Sequence, residues 1–241
     1  MPAGRVILAI ETSNPSLGRA EVAVARQTVG GVEILAVETL APTGRHDDAL
    51  APALARACAS AGVAPVEIGR VAVSVGPGGF SGLRVACATG QMISLAAGAE
   101  CVAVPTALVA AEPALARHPS ASRVLVALAS KRESAWLAVV QRAGSAEDRA
   151  ASARSGGVLD ATGLTELLES GRPDAALADE RLPVPLREAF ERAGVPVEAP
   201  TLRAEVAARL GATLAPIAPH RLTPIYPRQP EAVRIWRQQG R

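Results

Sequence analysis

The stretch from Val71 to Ala97, VAVSVGPGGFSGLRVACATGQMISLAA, constrains this chain more than any other. Val71, Val73 and Val75 alternate with small residues, the period-two pattern of a strand with a buried face. Gly76-Pro77-Gly78-Gly79 then breaks the strand, glycine supplying backbone angles that other residues avoid. Ser81 is placed to cap a following helix by accepting a backbone N–H. Leu83, Ala86, Cys87, Gly90 and Ile93 recur every three or four positions along that helix. Gly98 stands where a left-handed C-terminal cap belongs. Ala86, Ala88, Gly90, Ser94 and Ala97 are all small, which permits close approach of a second backbone.

A glycine loop opening a helix suggests an anion site, because free N–H groups and the helix dipole favour negative charge. The spacing meets neither familiar code. A P-loop needs GxxxxGK[ST], and Arg84 follows Gly82-Leu83 without a Gly-Lys pair. A dinucleotide loop needs GxGxxG, and the last glycine is misplaced here. The residues favour a tight turn that packs helix on sheet.

The 241 residues suit one or two domains. Hydrophobic residues make up 49% and aromatics 2%, so aliphatic side chains and close backbone packing must fill the core. A net charge of +2 announces no nucleic-acid partner. Cys58, Cys87 and Cys101 lie in apolar segments and suit buried thiols in a reducing cytosol. Neither a signal peptide nor an apolar run of membrane-spanning length is present, so a cytoplasmic location is expected.

Taken in order, Arg5–Ile10 reads as a buried strand and Glu11–Ser16 as a turn. Ala20–Ala25 and Val32–Leu40 read as two further strands, making an antiparallel meander. Asp47 and Asp48 open a helix with Leu50, Leu54, Ala57, Cys58 and Ala61 on one face, ended by Gly62. The Val71 strand, its helix and a strand at Cys101–Val104 complete the set. Three strands, helix, strand, helix, strand is the ribonuclease-H-like arrangement, the unit used twice by the actin-like ATPase superfamily. The expected class is therefore α/β, with two ribonuclease-H-like lobes and the second degraded. Expected boundaries are residues 1–105 for the first lobe, 106–222 for a smaller second α/β lobe and 223–241 for a tail. In the second lobe, helices are expected at Thr106–Arg117 (interrupted by Pro113), Thr162–Ser170, Pro185–Ala193 and Thr201–Leu214. Strands are expected at Val124–Ala129, Ala135–Gln141 and Ala175–Ala178, with Gly144–Gly157 an exposed loop.

The run GPGGFSGLRVACATGQ resembles the GPGSFTGLRIG signature of the TsaB (YeaZ) family, bacterial proteins that work in making threonylcarbamoyladenosine in transfer RNA. Gly76, Pro77, Gly78, Phe80, Ser81, Gly82 and Arg84 form the signature loop, with Gly79 for serine and Ser81 for threonine. Tyr226-Pro227-Arg228-Gln229-Pro230-Glu231-Ala232 resembles the family's C-terminal YxRxPxA pattern. The resemblance is strong over Arg5–Ala111 and weak from Gly144 to Ala218.

Several residues invite chemistry. Glu11-Thr12-Ser13 follows the first strand, where kinases and ATPases of this group hold metal and phosphate. The usual glycine after the acid is missing, so the turn is a residual phosphate-loop candidate beside a plain hairpin turn. At the second-lobe hairpin, TsaB relatives usually begin Asp-Ala-Arg, and this chain reads Ala129-Ser130-Lys131. Alanine neither ligates magnesium nor acts as a base. His46 beside Asp47 and Asp48 invites a metal, but HExxH and CxxC are absent and a solvated helix-start histidine is the better account. The arginines at Arg228, Arg234, Arg237 and Arg241 make a basic tail, solvated by default.

The two helices around the Val71 strand carry more small and apolar positions than one buried face requires. Leu50, Leu54, Cys58, Leu83, Ala86, Gly90, Met92 and Ile93 are the expected docking surface. The resemblance implies a subunit without stand-alone catalysis or a tightly bound cofactor. A TsaD-type partner, itself bearing a paired-histidine metal motif, would hold ATP and metal and carry the transfer to adenosine 37. It also implies a homodimer when alone, a TsaE-type ATPase as a further partner and only indirect tRNA contact. The alternatives are an ATP-binding kinase of the actin-like fold and a glycoprotease-like hydrolase.

Overall fold

A computed structural model describes residues 4–13, 20–40, 46–130, 132–227 and 236, the side chains at 46–48 and 129 excepted. Strands β1 (Val6–Glu11), β2 (Glu21–Thr28), β3 (Gly31–Thr39), β4 (Ile68–Ser74) and β5 (Glu100–Val104) form a sheet in the order β3-β2-β1-β4-β5. The first three make the expected antiparallel meander, with β4 parallel to β1 and β5 parallel to β4. Strands β6 (Arg123–Ala129), β7 (Ala135–Gln141), β8 (Gly157–Leu159), β9 (Ala175–Ala178) and β10 (Val197–Glu198) form the second, in the order β10-β9-β6-β7-β8. From β6 outward it repeats the winding of the first sheet from β1, with β7 and β8 antiparallel and β9 and β10 parallel. The second lobe is degraded in strand length, its outer strands being cut to 3 and 2 residues.

Side-chain parity explains the layers. Val6, Leu8 and Ile10 of β1 face α1 (His46–Ala61) and α2 (Phe80–Ala97). Ile7 and Ala9 face the other way, onto α3 (Thr106–Arg117) and α7 (Ala204–Thr213). Across that layer α3 packs on β6 and β7, and Val124, Val126 and Leu128 of β6 join the same core. Leu125 and Ala127 face α5 (Ala161–Ser170) and α6 (Val184–Arg192). Helices therefore lie outside each sheet and a shared pair lies between them. Pro113 sits inside α3 without ending it, and Gly98 takes the expected left-handed C-cap, at φ 68°. The stretch read as a loop contains α4 (Ala146–Arg154), started by a Ser145–Asp148 capping box that the polar composition concealed.

Helix α7 belongs to the second half of the chain but packs on β1, β2 and β4 of the first sheet. Small residues permit this: a Cβ on Gly211 would stand 2.4 Å from that of Ala72. Both helix ends are held by charges from the first sheet. Buried Glu21 of β2 accepts from Ala204 N (3.3 Å) and pairs with Arg203 Nε (2.8 Å) at the N-terminus. Buried Arg70 of β4 donates to the Gly211 and Ala212 carbonyls at 2.8 and 3.1 Å and to Glu100 at 2.9 Å. These signs complement the helix dipole. Replacing Arg70 by Met strands buried carbonyls and is expected to cost about 2–3 kcal/mol. The measurement is urea unfolding, read as a lower midpoint at unchanged slope.

Candidate functional site

The loop after β4 meets the turn after β1 backbone to backbone. Gly76 has φ 94° and its peptide bond to Pro77 is cis. The Gly79 amide, at the N-cap of α2, donates to the Ser13 carbonyl at 2.6 Å. A Cβ on Gly78 would lie 1.9 Å from that carbonyl oxygen, and one on Gly82 2.9 Å from the Thr12 carbonyl. Thr12 Oγ1 donates to the Gly82 carbonyl at 3.0 Å. The loop glycines thus admit another segment of this chain, as the tight-turn reading requires. At the helix start the partially negative Ser13 carbonyl takes an amide that an anion would otherwise use. Ser81 is no N-cap: that position is Gly79, which has no side chain to cap with, and Ser81 lies within the first turn.

Glu11 is buried at the end of β1, on the face shared with Ile7 and Ala9. Its Oε1 accepts from the Ser13 amide at 2.7 Å and from the Ser13 hydroxyl, while Oε2 makes no hydrogen bond. Burial pushes its carboxyl above the usual range, against the lowering influence of the Ser13 and Ser74 hydroxyls and the Ser13 amide, with Glu21 adding to the rise. Ser74 and Thr106, at the start of α3, bond through their hydroxyls at 2.9 Å. The candidate phosphate turn Glu11-Thr12-Ser13 is therefore brought against the signature loop, but folded onto itself.

The second-lobe hairpin closes tightly, Ser130 N donating to Ser134 O at 3.0 Å and Ser134 N to Arg132 O at 2.7 Å. A cleft of about 600 Å³ beside it is lined by Arg132, Glu133, Asp160 and Thr162 among others. The Ala129 side chain and Lys131, the side chains of His46, Asp47 and Asp48, and the tail arginines lie outside the described residues. Among the described residues, no three His, Cys, Asp or Glu side chains gather as metal ligands, and no helix is long and apolar enough to cross a membrane. Cys58, Cys87 and Cys101 are buried and unpaired with one another, and burial pushes the Cys87 thiol up to about 12.

The expected docking surface needs correction. Leu50, Leu54, Cys58, Leu83, Ala86 and Gly90 are buried within this chain. Leu83 shares the stripe of Ala86 and Gly90, three and seven residues on, and this is the stripe that faces the sheet. A Cβ on Gly90 would stand 2.7 Å from Val73 Cγ2, so this glycine seats α2 on β4. Ile93 is half-buried. The outward stripe of α2 is Arg84, Ala88, Met92 and Leu95, with Met92 64% and Leu95 71% exposed. Beside it, α1 turns outward the small residues Ala51, Ala55 and Ala59.

At the start of that stripe the signature loop and the C-terminal pattern meet, which sequence reasoning missed. After α7 the chain returns along the first sheet: Ile217 N donates to Cys101 O at 2.8 Å and Ile225 N to Val75 O at 2.7 Å. Gln91 Nε2 holds the Leu222 carbonyl at 2.9 Å. This path delivers Tyr226 to α2, its ring centroid 5.4 Å from that of Phe80. Arg84 lies with Cζ 3.9 Å from the Phe80 centroid and its Nε donates to Tyr226 Oη at 3.1 Å. Phe80 and Tyr226 remain 50% and 41% exposed.

A family model described as TsaD, tRNA N6-adenosine threonylcarbamoyltransferase, matches residues 38–229. No curated protein sequence matches. Among solved structures, the chain is similar to an uncharacterized protein with similarity to peptidase YeaZ from Pseudomonas aeruginosa. That pair shares 22% identity over 93% of this chain and 100% of the other, with a TM-score of 0.67. It is also similar to YeaZ from Pseudomonas aeruginosa, at 20% identity over 92% of this chain and 99% of that one, with a TM-score of 0.63. At these identities the likeness is one of fold, and with the doubled strand order it makes the architecture that of two actin-like, ribonuclease-H-like lobes. Matched over most of its length by the family model, folded like YeaZ and carrying a loop that resembles the TsaB (YeaZ) signature, the chain belongs to the TsaD (tRNA N6-adenosine threonylcarbamoyltransferase) family.

Proposed function

We propose that this chain is the non-catalytic, partner-docking subunit of the threonylcarbamoyl-transfer complex. It pairs with a TsaD-type subunit that carries ATP, metal and the reaction, and holds that subunit in its working shape. A TsaE-type ATPase joins the complex, and without partners the chain pairs with itself through the same helices. One observation carries the reading: α2 turns Met92 and Leu95 to solvent beside the alanine row of α1, while the inner loops are folded on themselves. A face of small and apolar residues with two large exposed side chains is the makeup of a helix-pair interface. Of the expected docking residues Met92 lies on this outward stripe and Ile93 is half-buried, while Leu50, Leu54, Cys58, Leu83, Ala86 and Gly90 are buried.

The assay is threonylcarbamoyl transfer by the TsaD-type subunit with and without this chain. Addition should raise the rate, and equal rates reject the proposal. Met92→Glu and Leu95→Glu each put a carboxylate into the buried contact and should weaken pairing about tenfold or more. Because both positions are exposed, monomer stability should stay within about 0.5 kcal/mol. Light scattering and thermal unfolding read the two effects separately.

Glu11 supplies a third check, on the inner turn as a structural device. Its folded value is raised, so its contribution to stability is fully present below the ordinary carboxylate range and is lost as pH rises through the raised value. Glu11→Gln keeps the acceptor for Ser13 and cannot ionise. The variant should match the parent near pH 4 and become progressively more stable than it as pH rises, in urea unfolding across pH. A gap independent of pH would show that folding does not raise the Glu11 carboxyl above its ordinary range.

A further inference from the structure

We infer that Arg84 is a preformed anchor for a carboxylate on the docked protein partner, so that one ion pair sets the end of the helix face at which the partner registers. This rests on the docking reading above and names the chemistry that the partner must present.

Arginine side chains on a surface are usually mobile, and ordering one costs side-chain entropy. Here that ordering precedes any partner. The guanidinium is stacked on the Phe80 ring, and its Nε is held by Tyr226 Oη. Tyr226 is in turn fixed by the preceding Ile225–Val75 backbone bond. Among the described residues, the two terminal nitrogens of Arg84 have no partner. They form the planar fork that matches a carboxylate with two parallel bonds. Arg84 is the one charged residue in α2, whose sequence is FSGLRVACATGQMISLAA. The outward arginine of the neighbouring helix, Arg56, is already paired with Glu38 at 3.2 Å. Among the described residues the face therefore offers one uncompensated cation at one end and apolar contact along the rest.

That distribution favours a protein carboxylate over an RNA phosphate. A nucleic-acid backbone is tracked by rows of cations, and Ala88, Met92 and Leu95 continue the stripe without one. An apolar stripe running on from a single cation instead suits a protein partner, whose interfaces are enriched in arginine and apolar contacts. The aromatic platform also favours arginine over lysine, since an ammonium has neither the fork nor the plane to stack.

The test is calorimetric titration of the full chain with the TsaD-type subunit from the same organism, over a range of salt. Arg84→Gln should weaken binding about tenfold or more and flatten the salt dependence. Arg84→Lys should recover only a small part. Tyr226→Phe, which frees Nε but keeps the ring, should weaken binding by about threefold, its hydrogen bond acting only through the arginine. Thermal unfolding of each variant should match the parent. If Arg84→Gln binds like the parent while Met92→Glu does not bind, the anchor is overturned and the docking face stands. If the parent itself fails to bind, both fall. If Arg84→Gln loses affinity for tRNA and keeps it for the protein, the cation serves a phosphate and the inference is wrong.

Discussion

A helix drawn from the second half of the chain lies across the first sheet with an acid at its head and a guanidinium at its foot. Glu21 and Arg70, which hold α7 this way, are both buried, and both come from strands of the opposite lobe. Burying either charge alone would be costly; opposing a helix end offsets the cost, because the orphan amides and carbonyls there also need partners. The contact works only because everything near it is small. Ala9, Ala23, Ala25 and Ala72 face Ala204, Ala207, Ala208 and Gly211, so the helix axis comes close enough for its ends to reach the strand residues. In a chain this poor in aromatics, close backbone approach replaces large side chains as the means of filling the centre. Helix α3 packs on β6 and β7 while α7 packs on the first sheet, so one helical layer covers both sheets and the first sheet is not covered without the second half of the chain.

The same economy of side-chain size shapes the loops. A glycine-rich turn before a helix has amides and dipole to offer, and here the Ser13 carbonyl accepts the offer. Gly78 and Gly82 are needed because the Thr12–Ser13 backbone occupies the space that their side chains would fill. The result is a stiff joint between β1, β4 and the start of α2. That stiffness matters at the surface, since Phe80 and Arg84 belong to the first turns of the same helix. A loop built on the plan of a phosphate cradle thus serves to fix a surface cluster.

Long periodic segments were legible in the sequence. The alternation in β1, β2 and β4 and the three-and-four spacing in α1 and α2 reflect one-sided burial, which leaves a pattern in a single stretch. So the first lobe, its winding and its family were all readable from residues. What stayed hidden was set by the rest of the chain. Strands β8 and β10 are too short to show a period, and they exist because a neighbouring strand supplies their bonds. Helix α4 packs only through a row of alanines, Ala146, Ala150 and Ala153, and its start was marked only by Ser145 and Asp148, a weaker signal than the spacing of large apolar residues. The docking stripe was misplaced because alanine is equally at home on a buried face and an exposed one. Leu83 and Leu54 could be assigned outward only until the sheet showed which stripe it covers. The pairing of Glu21 and Arg70 with α7 spans well over a hundred residues of separation, and no local pattern announces it.

The two stretches that carry the family resemblance, Gly76–Gln91 and the pattern beginning at Tyr226, are far apart in the chain and touch in space. Their meeting follows from the path after α7. Once that helix is clamped to the first sheet, the chain must leave along the β5 edge, where Ile217 bridges to Cys101, and pass under α2 with Leu222 buried. Tyr226 then arrives at Phe80 with little freedom left. The clamp at the centre of the molecule and the aromatic cluster at its surface are therefore one construction: the first decides where the chain emerges, and the second is what it meets on emerging. A helix that spends one face on the sheet and keeps the other for solvent needs its start fixed from both sides, by the β1 turn within and by Tyr226 without. The signature is thus intelligible as the sequence of a joint, its glycines selected by backbone contact and its Phe80 and Arg84 by what stands on the outside of that contact.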